Sequence, residues 1–101
     1  MQLFFTTVGT EDEARHIART LVDERLCACA QIEAMTSVYR WNGQVCEEPE
    51  WRLLLKTADD RATALQARLL ELHPYDLPAV YAVKPDGVSP AFAQWVQDET
   101  H

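Results

Sequence analysis

Residues 27–57 read CACAQIEAMTSVYRWNGQVCEEPEWRLLLKT, and this stretch decides the fold. At its middle stands Asn42-Gly43, the dipeptide most typical of a two-residue hairpin turn, because a type I′ turn needs positive φ at both central residues. On either side lie two long stretches without helical periodicity, about Cys27 to Trp41 and Gln44 to Thr57. The pattern therefore predicts one long β-hairpin.

A two-residue turn fixes the register of such a hairpin, and the register can be checked against the residue pattern. One face becomes almost entirely apolar, and the other gains an opposite-charge pair, Glu33 with Arg52. Pro49 would face Thr36, and since proline has no N–H to donate, we expect a bulge or an unpaired edge there. The apolar face would hold the pairs Ala28–Thr57, Ala30–Leu55, Ile32–Leu53 and Ala34–Trp51, and the other Cys29–Lys56, Gln31–Leu54, Glu33–Arg52 and Met35–Glu50.

Before the hairpin, the sequence predicts a strand and an amphipathic helix. Leu3–Val8 is a short apolar and β-branched run that ends at Gly9. Thr10 and Glu13 have the spacing of a capping box, which predicts the start of a helix that fades near Arg25. Its apolar stripe would be Ala14, Ile17, Ala18, Leu21 and Val22.

After the hairpin, the pattern predicts a helix, a strand and a final short helix. Thr57 or Asp59 can cap the first of these, and His73-Pro74 should end it, because a residue before proline avoids helical backbone angles. Ala79–Val83 reads as a fourth strand. Ser89-Pro90 then has the pattern of an N-cap followed by proline at the first helical position. The apolar stripe of the first helix would be Ala62, Leu65, Leu69 and Leu72.

This order, βαββαβ with an added C-terminal helix, predicts a single α+β domain over residues 1–101 with the ferredoxin-like split βαβ arrangement. Hairpin strands of about 13–15 residues are far longer than usual strands, so the hairpin must extend beyond a four-stranded sheet. Its outer face also carries Met35, Tyr39 and Leu54. Unpaired backbone and apolar side chains together predict a homo-oligomer.

Composition narrows the function classes. The formal net charge is −7, which disfavours nucleic acid and anionic membranes as partners. The N-terminus has no signal-peptide pattern, and no apolar run approaches the length of a membrane span. Three cysteines without framework spacing argue against a secreted disulfide scaffold. We therefore expect a cytoplasmic protein with reduced thiols.

Four sequence blocks carry a family resemblance: Glu24–Ala30, Thr36–Gly43, Leu55–Thr57 and Leu72–Pro78. Together with the first strand and Trp95, they resemble the CutA divalent-cation tolerance family. The resemblance implies a ferredoxin-like protomer in a homotrimer joined through the long hairpin, a cytoplasmic location in bacteria, and a role in tolerance to divalent cations, copper especially. It also implies a trimer similar to that of the PII signalling proteins.

Thiols and imidazoles are the side chains that would select copper or zinc. Cys27 and Cys29 point to the same face of a strand, although small buried cysteines are the ordinary alternative. His73 stands where a helix ends, so it can cap the last carbonyls or bind metal. Some members of the family that this chain resembles bind copper through a histidine at this position. They carry a second histidine where Leu72 stands and a cysteine where Thr6 stands, so one of three ligands remains.

A second candidate site combines aromatic and charged residues of the hairpin with the loop after His73. Such side chains, converging at a subunit junction, are suited to binding a small molecule, and they are equally suited to anchoring a trimer contact. The cleft candidates are Tyr39, Trp41, Glu48, Lys56 and Tyr75, and the trimer-interface candidates are Met35, Tyr39, Trp41, Leu54 and Trp95.

No catalytic motif is present, so we expect a protein that is not an enzyme. Cys29 and His73 are the one nucleophile–base pair that the sequence offers, and nothing in it brings them together. The leading hypothesis is a trimer involved in copper or other divalent-cation tolerance, with weak metal binding and no required cofactor. The alternative is a PII-like sensor or adaptor that binds a small molecule or a partner protein between subunits.

Overall fold

The computed structural model describes residues 1–101, and it has the predicted ferredoxin-like architecture. Its four strands form one antiparallel sheet in the order β2-β3-β1-β4. No helix is both long and apolar enough to cross a membrane. In chain order the elements are β1 Gln2–Val8, α1 Glu11–Asp23, β2 Cys29–Trp41, β3 Gln44–Thr57, α2 Ala62–Leu72, β4 Tyr81–Val83 and α3 Pro90–Glu99.

The hairpin turn has the predicted type I′ geometry, with φ of 50° at Asn42 and 75° at Gly43. The predicted register is confirmed along the whole ladder, from Trp41–Gln44 to Cys29–Lys56. Only the last expected pair, Ala28–Thr57, is absent. The N–H of Ala28 instead donates to the carbonyl of Lys56 over 2.9 Å, so β2 begins one residue later.

Of the two alternatives expected at Pro49, a bulge or an unpaired edge, the structure shows the second: Pro49 pairs with Thr36 in an unbroken register, and β3 has no partner strand on its other side there. In a hairpin with a two-residue turn, Thr36 and Pro49 form a non-hydrogen-bonded pair, in which the backbone N–H and C=O groups of the two residues point away from each other. The ring nitrogen therefore faces the other side of β3. On that side, β1 ends where Val8 pairs with Trp51, so no strand of the protomer needs a donor at Pro49.

The core lies between the sheet and the two helices α1 and α2. Leu53 and Leu55 of β3 are fully buried, as the register predicted. They belong to one cluster with residues of both helices, so both helices cover the same face. The stripe of α2 is confirmed, while Val22 at the end of α1 is 41% exposed. The helix residues in the cluster are Ala14, Ile17, Ala18, Leu21, Ala62, Leu65 and Leu69.

The opposite face of the sheet carries no helix along most of its length. Phe5 stacks on Tyr81 with ring centroids 5.4 Å apart, and the guanidinium of Arg52 lies 5.5 Å from the Phe5 ring centroid. Arg52 also forms the predicted ion pair with Glu33. Leu54 pairs with Phe5 and is half-buried in the protomer. This open face therefore combines an apolar patch of Phe5, Leu54 and Tyr81 with the ion pair of Glu33 and Arg52.

The start of α2 differs from the prediction, because neither predicted cap is used there. The Thr57 hydroxyl is buried and donates to the carbonyl of Leu26 over 2.7 Å. The Asp59 carboxylate pairs with the N-terminal amine of Met1 and with Lys84, each at 3.1 Å. A short 3-10 turn, Asp59–Arg61, precedes the helix instead.

The end of α1 is fixed by a Schellman motif with arginine at the left-handed position. Arg25 has a φ of 60°, which usually favours glycine. The N–H of Leu26 donates to Leu21 and that of Arg25 to Val22. The Arg25 guanidinium lies 3.0 Å from the carbonyl oxygen of His101 and 3.4 Å from those of two α3 residues. This side chain therefore ties the C-terminus to α1.

Replacing Arg25 separates these two effects. Arg25→Ala loses the tie to the C-terminus and keeps the unfavourable backbone angle, whereas Arg25→Gly loses the tie and relieves the angle. Because a left-handed residue other than glycine costs about 1 kcal/mol, we expect Arg25→Gly to be the more stable of the two by about that amount. Urea unfolding of both variants measures the difference. Equal stability would contradict this account of the helix end.

Candidate functional site

A cleft of about 770 Å³ lies where the hairpin extends beyond the rest of the sheet. Because β1 pairs only with Trp51–Thr57, the half of β3 nearer the turn has a free side. The loop after α2 lies beside this free side. The cleft is lined by Thr7, Ser37, Val38, Tyr39, Trp41, Glu48, Glu50, Pro74, Tyr75, Asp76, Leu77 and Ala79.

Tyr75 joins the loop to the hairpin. Its hydroxyl donates to a carboxylate oxygen of Glu50 over 3.0 Å. A Cβ placed on Gly9 would lie 3.4 Å from the same hydroxyl, so the phenol stands just beyond the end of β1. Partial burial, together with the carboxylate of Glu50, raises the pKa of Tyr75, which stays a protonated donor at neutral pH.

Tyr39 and Glu48 lie on the same face of the hairpin, which the register requires, since Glu48 pairs with Ser37 and Tyr39 is two residues further along. Desolvation and the nearby Glu48 carboxylate raise the pKa of Tyr39. Glu48, Glu50 and Asp76 are the ionisable carboxylates of the lining, and the lining contains no lysine, arginine or histidine. The cleft is therefore negatively charged.

His73 holds the base of the loop against β1. Its Nδ1 accepts a hydrogen bond from the N–H of Tyr75 over 3.1 Å. The proton is therefore on Nε2, which lies 3.0 Å from the carbonyl oxygen of Thr7 and 2.9 Å from Thr6 Oγ1. His73 caps α2 through its backbone N–H, which donates to the carbonyl of Leu69 over 3.0 Å, whereas its ring bonds to β1 and not to the last carbonyls of the helix. Both ring nitrogens are occupied in a residue that is 8% exposed.

This geometry predicts that stability falls in mild acid. Burial lowers the pKa of His73 below its usual 6.5, although the Thr7 carbonyl and the carboxylates of Glu13 and Glu50 oppose the shift. The unfolded chain then binds a proton more readily than the folded one, so the contribution is complete above pH 6.5 and is lost as the pH falls through the folded value.

The measurement is the urea midpoint of wild type and His73→Gln across this pH range. We expect a steeper loss in wild type, because glutamine can still donate to Thr7 and does not titrate. His101→Ala serves as the second reference, since the Gln97 carbonyl and Asp60 raise the pKa of His101 and its effect has the opposite sign. Parallel pH profiles of wild type and His73→Gln would contradict the assignment.

Four of the five predicted cleft residues lie in this cleft: Tyr39, Trp41, Glu48 and Tyr75. Lys56 does not, because it lies eight residues beyond Glu48 on β3, with its Nζ 5.6 Å from the Phe92 ring centroid. The predicted cleft residues did not include Glu50 or Asp76, although Glu50 belongs to a run of three carboxylates, with Glu47 and Glu48, that the sequence places near the hairpin turn. The register puts Glu50 two residues from Glu48 on the same face.

The predicted soft-metal candidates are dispersed. Cys27 is fully buried, and burial followed by the influence of Cys29 raises the pKa of its thiol to about 12. Cys29 pairs with Lys56 near one end of the sheet, whereas His73 contacts Thr6 and Thr7, so the two do not form a nucleophile–base pair. In the protomer, no three His, Cys, Asp or Glu side chains are close enough to hold one metal ion.

Comparison with known proteins places this geometry in a family. Residues 2–99 match the family model described as CutA1 divalent ion tolerance protein. The divalent-cation tolerance protein CutA of Pyrococcus horikoshii is 36% identical, over 99% of this chain and 98% of that protein. The CutA protein of Thermus thermophilus is 38% identical, over 98% of this chain and 97% of that protein. The names of these relatives describe no enzymatic activity.

Solved structures agree with this result. Crystalline CutA1 from Pyrococcus horikoshii is similar with a TM-score of 0.96 at 35% identity, covering 100% of this chain and 99% of that one. The PII-like protein CutA from Nostoc sp. PCC 7120 is similar with a TM-score of 0.94 at 33% identity, covering 100% and 98%. On sequence and fold together, the chain belongs to the CutA1 divalent ion tolerance protein family.

Proposed function

We propose that the protein is a cytoplasmic homotrimer, without enzymatic activity, that takes part in tolerance to divalent cations, copper in particular. The observation that carries the proposal is the negatively charged cleft at the hairpin overhang, with three carboxylates and no basic side chain in its lining. The net charge of −7 adds a general attraction for cations. The family to which the chain belongs is described by tolerance to divalent ions.

Direct metal binding is weak in this proposal, and no resident cofactor is needed. His73 and the cleft carboxylates supply the contacts, with Cys29 as a less favoured soft ligand. A copper ion at Nδ1 of His73 has to displace the N–H of Tyr75, which that nitrogen already accepts. Losing this partly buried hydrogen bond opposes the new coordinate bond, so the affinity is expected to be low.

Native mass spectrometry with and without Cu(II) tests assembly and metal uptake together. We expect a trimer that takes up copper weakly, with less uptake in His73→Ala and Glu50→Gln. Glu47→Gln is the matched control, because Glu47 lies on the opposite face of the same strand and its loss changes the net charge equally. A monomer would contradict the assembly, and equal uptake by all variants would contradict these ligands.

The alternative function, a PII-like sensor or adaptor, is favoured by the aromatic walls of the same cleft. Tyr39, Trp41 and Tyr75 line a space large enough for a small metabolite. Removing the other two tryptophans (Trp51→Phe and Trp95→Phe) leaves Trp41 as the fluorescent reporter. A response to metabolites and not to metals would favour the sensor, and the reverse would favour metal tolerance through direct binding.

A further inference from the structure

The last turn of α3 is held by side chains of two other parts of the fold. The guanidinium of Arg25, at the end of α1, lies 3.0 Å from the main-chain oxygen of His101. The His101 ring reaches the 3-10 turn that precedes α2, where its Nε2 lies 2.8 Å from a carboxylate oxygen of Asp60. Val96 and Thr100 in this turn are buried. These contacts therefore fix a segment that covers part of the interior.

Both ring nitrogens of His101 face hydrogen-bond acceptors. Nδ1 lies 2.7 Å from the carbonyl oxygen of Gln97, and Nε2 lies 2.8 Å from the Asp60 carboxylate. Neither acceptor can donate at neutral pH, so each contact is a hydrogen bond only if its ring nitrogen carries a proton. The neutral imidazole carries one proton and the imidazolium carries two. The arrangement therefore fits the charged ring, whereas a neutral ring would place one nitrogen lone pair against an oxygen.

Two donors also lie near Nδ1, but both are farther away than the Gln97 carbonyl. The side-chain amide nitrogen of Gln97 is 3.2 Å from Nδ1, and the Thr100 hydroxyl is 3.3 Å from it. That hydroxyl already donates to the carbonyl of Val96 over 2.8 Å. The shortest contact of Nδ1 therefore remains the one that requires a proton on the ring.

Charged groups of the adjoining elements act on the ring in both directions. The Gln97 carbonyl, followed by the Asp60 carboxylate, raises the pKa of His101, while desolvation and the cation of Arg61 oppose the shift. The folded protein therefore binds this proton more tightly than the unfolded chain, so the contribution is complete below pH 6.5 and is lost as the pH rises through the folded value. The other charged side chains of these elements are Asp59, Arg25, Asp98 and Glu99.

We propose that His101 and Asp60 form a pH-sensitive latch on the last turn of α3, which is closed when the His101 ring is charged and open when it is neutral. Arg25 stays charged throughout this range, so the tie to α1 persists and only the contact with the 3-10 turn is switched. Opening loosens the turn that contains Val96 and Thr100. All of these contacts lie within one protomer, and none of the residues lines the cleft, so the latch is independent of the function proposed above.

NMR of the intact protein tests the latch with two readouts. Titration of the imidazole signals gives the pKa of His101, and amide exchange relative to an unstructured chain gives the protection of the last turn of α3. We expect a pKa above 6.5. Protection should fall about twofold to fivefold as the ring loses its proton, which is the size of effect that one exposed ion pair gives.

Two substitutions at neighbouring positions separate the contact from the general charge. Asp60→Asn should lower the pKa of His101 and remove most of the pH-dependent protection. Asp59→Asn makes the same change of charge one residue away, where the carboxylate pairs with the Met1 amine and Lys84 instead. It should leave both readouts close to those of the wild type.

His101→Lys separates the positive charge from its titration. Lysine keeps its charge to about pH 10, so protection of the last turn should stay level between about pH 6 and about pH 9. The latch is refuted if His101 titrates at or below 6.5, or if Asp59→Asn lowers its pKa as much as Asp60→Asn does. It is also refuted if protection follows the same pH course in wild type and His101→Lys.

Discussion

Leu55→Ala is expected to destabilise the protein by about 3 kcal/mol. Leu55 is fully buried at the centre of the sheet, pairs with Phe4 and Ala30, and belongs to the single core cluster under both helices. Truncation removes its transfer free energy and leaves a cavity that strands on both sides prevent from collapsing. Urea unfolding at matched protein concentration measures the loss, since association also contributes to stability.

Leu70→Ala is the matched control for this result. Leu70 is 48% exposed on α2, and alanine is favourable in a helix, so its free energy of unfolding should change by less than about 0.5 kcal/mol. Similar losses in the free energy of unfolding at both positions would contradict the assignment of Leu55 to the core and of Leu70 to the surface.

Leu54→Arg is expected to convert the proposed trimer into folded monomers. Leu54 is the neighbour of Leu55 on β3, but it lies on the open face beside Phe5 and opposite Gln31. If that face is covered by neighbouring copies, a charge placed there loses its hydration without gaining a partner. Sedimentation velocity reports the change in mass, and tryptophan fluorescence reports that each protomer remains folded.

Leu70→Arg provides the comparison, since it adds the same charge to an exposed helix position away from this face. It should leave the assembly intact. A wild-type protein that sediments as a monomer, or a Leu54→Arg variant that remains a trimer, would refute the role proposed for the open face.

The hairpin shows why much of the fold could be predicted from sequence. A two-residue turn at Asn42-Gly43 sets every pair in two long strands at once, and the apolar pattern permits no other register. The pairing of β3 with β1 was harder to predict, because it joins segments that are distant in sequence. This pairing also determines that the edge of β3 is free at Pro49. The sequence therefore left two alternatives at Pro49, a bulge or an unpaired edge, and the pairing of β3 with β1 decides for the edge.

The site was less predictable, because long-range contacts decide it. Thr57 was expected to cap α2, but its hydroxyl satisfies a buried carbonyl of Leu26 that is remote in sequence. His73 bonds to β1, 66 residues away, and no local pattern indicates that partner. The same holds for Tyr75 and Glu50, which meet because β1 ends opposite Trp51 and leaves that side of β3 free next to Glu50. Lys56 lies outside the cleft of the single protomer, because it is eight residues beyond Glu48 along β3.

Pro49 has a further consequence for how this protein behaves at high concentration. The hairpin has strands of 13 and 14 residues, the kind of extended ribbon whose bare margin can template the growth of fibrils. Pro49 lies on that free edge and has no backbone N–H to donate. A strand that pairs there therefore lacks one hydrogen bond of the ladder. The pyrrolidine ring of Pro49 therefore permits a long hairpin and disfavours amyloid-like stacking along its free edge.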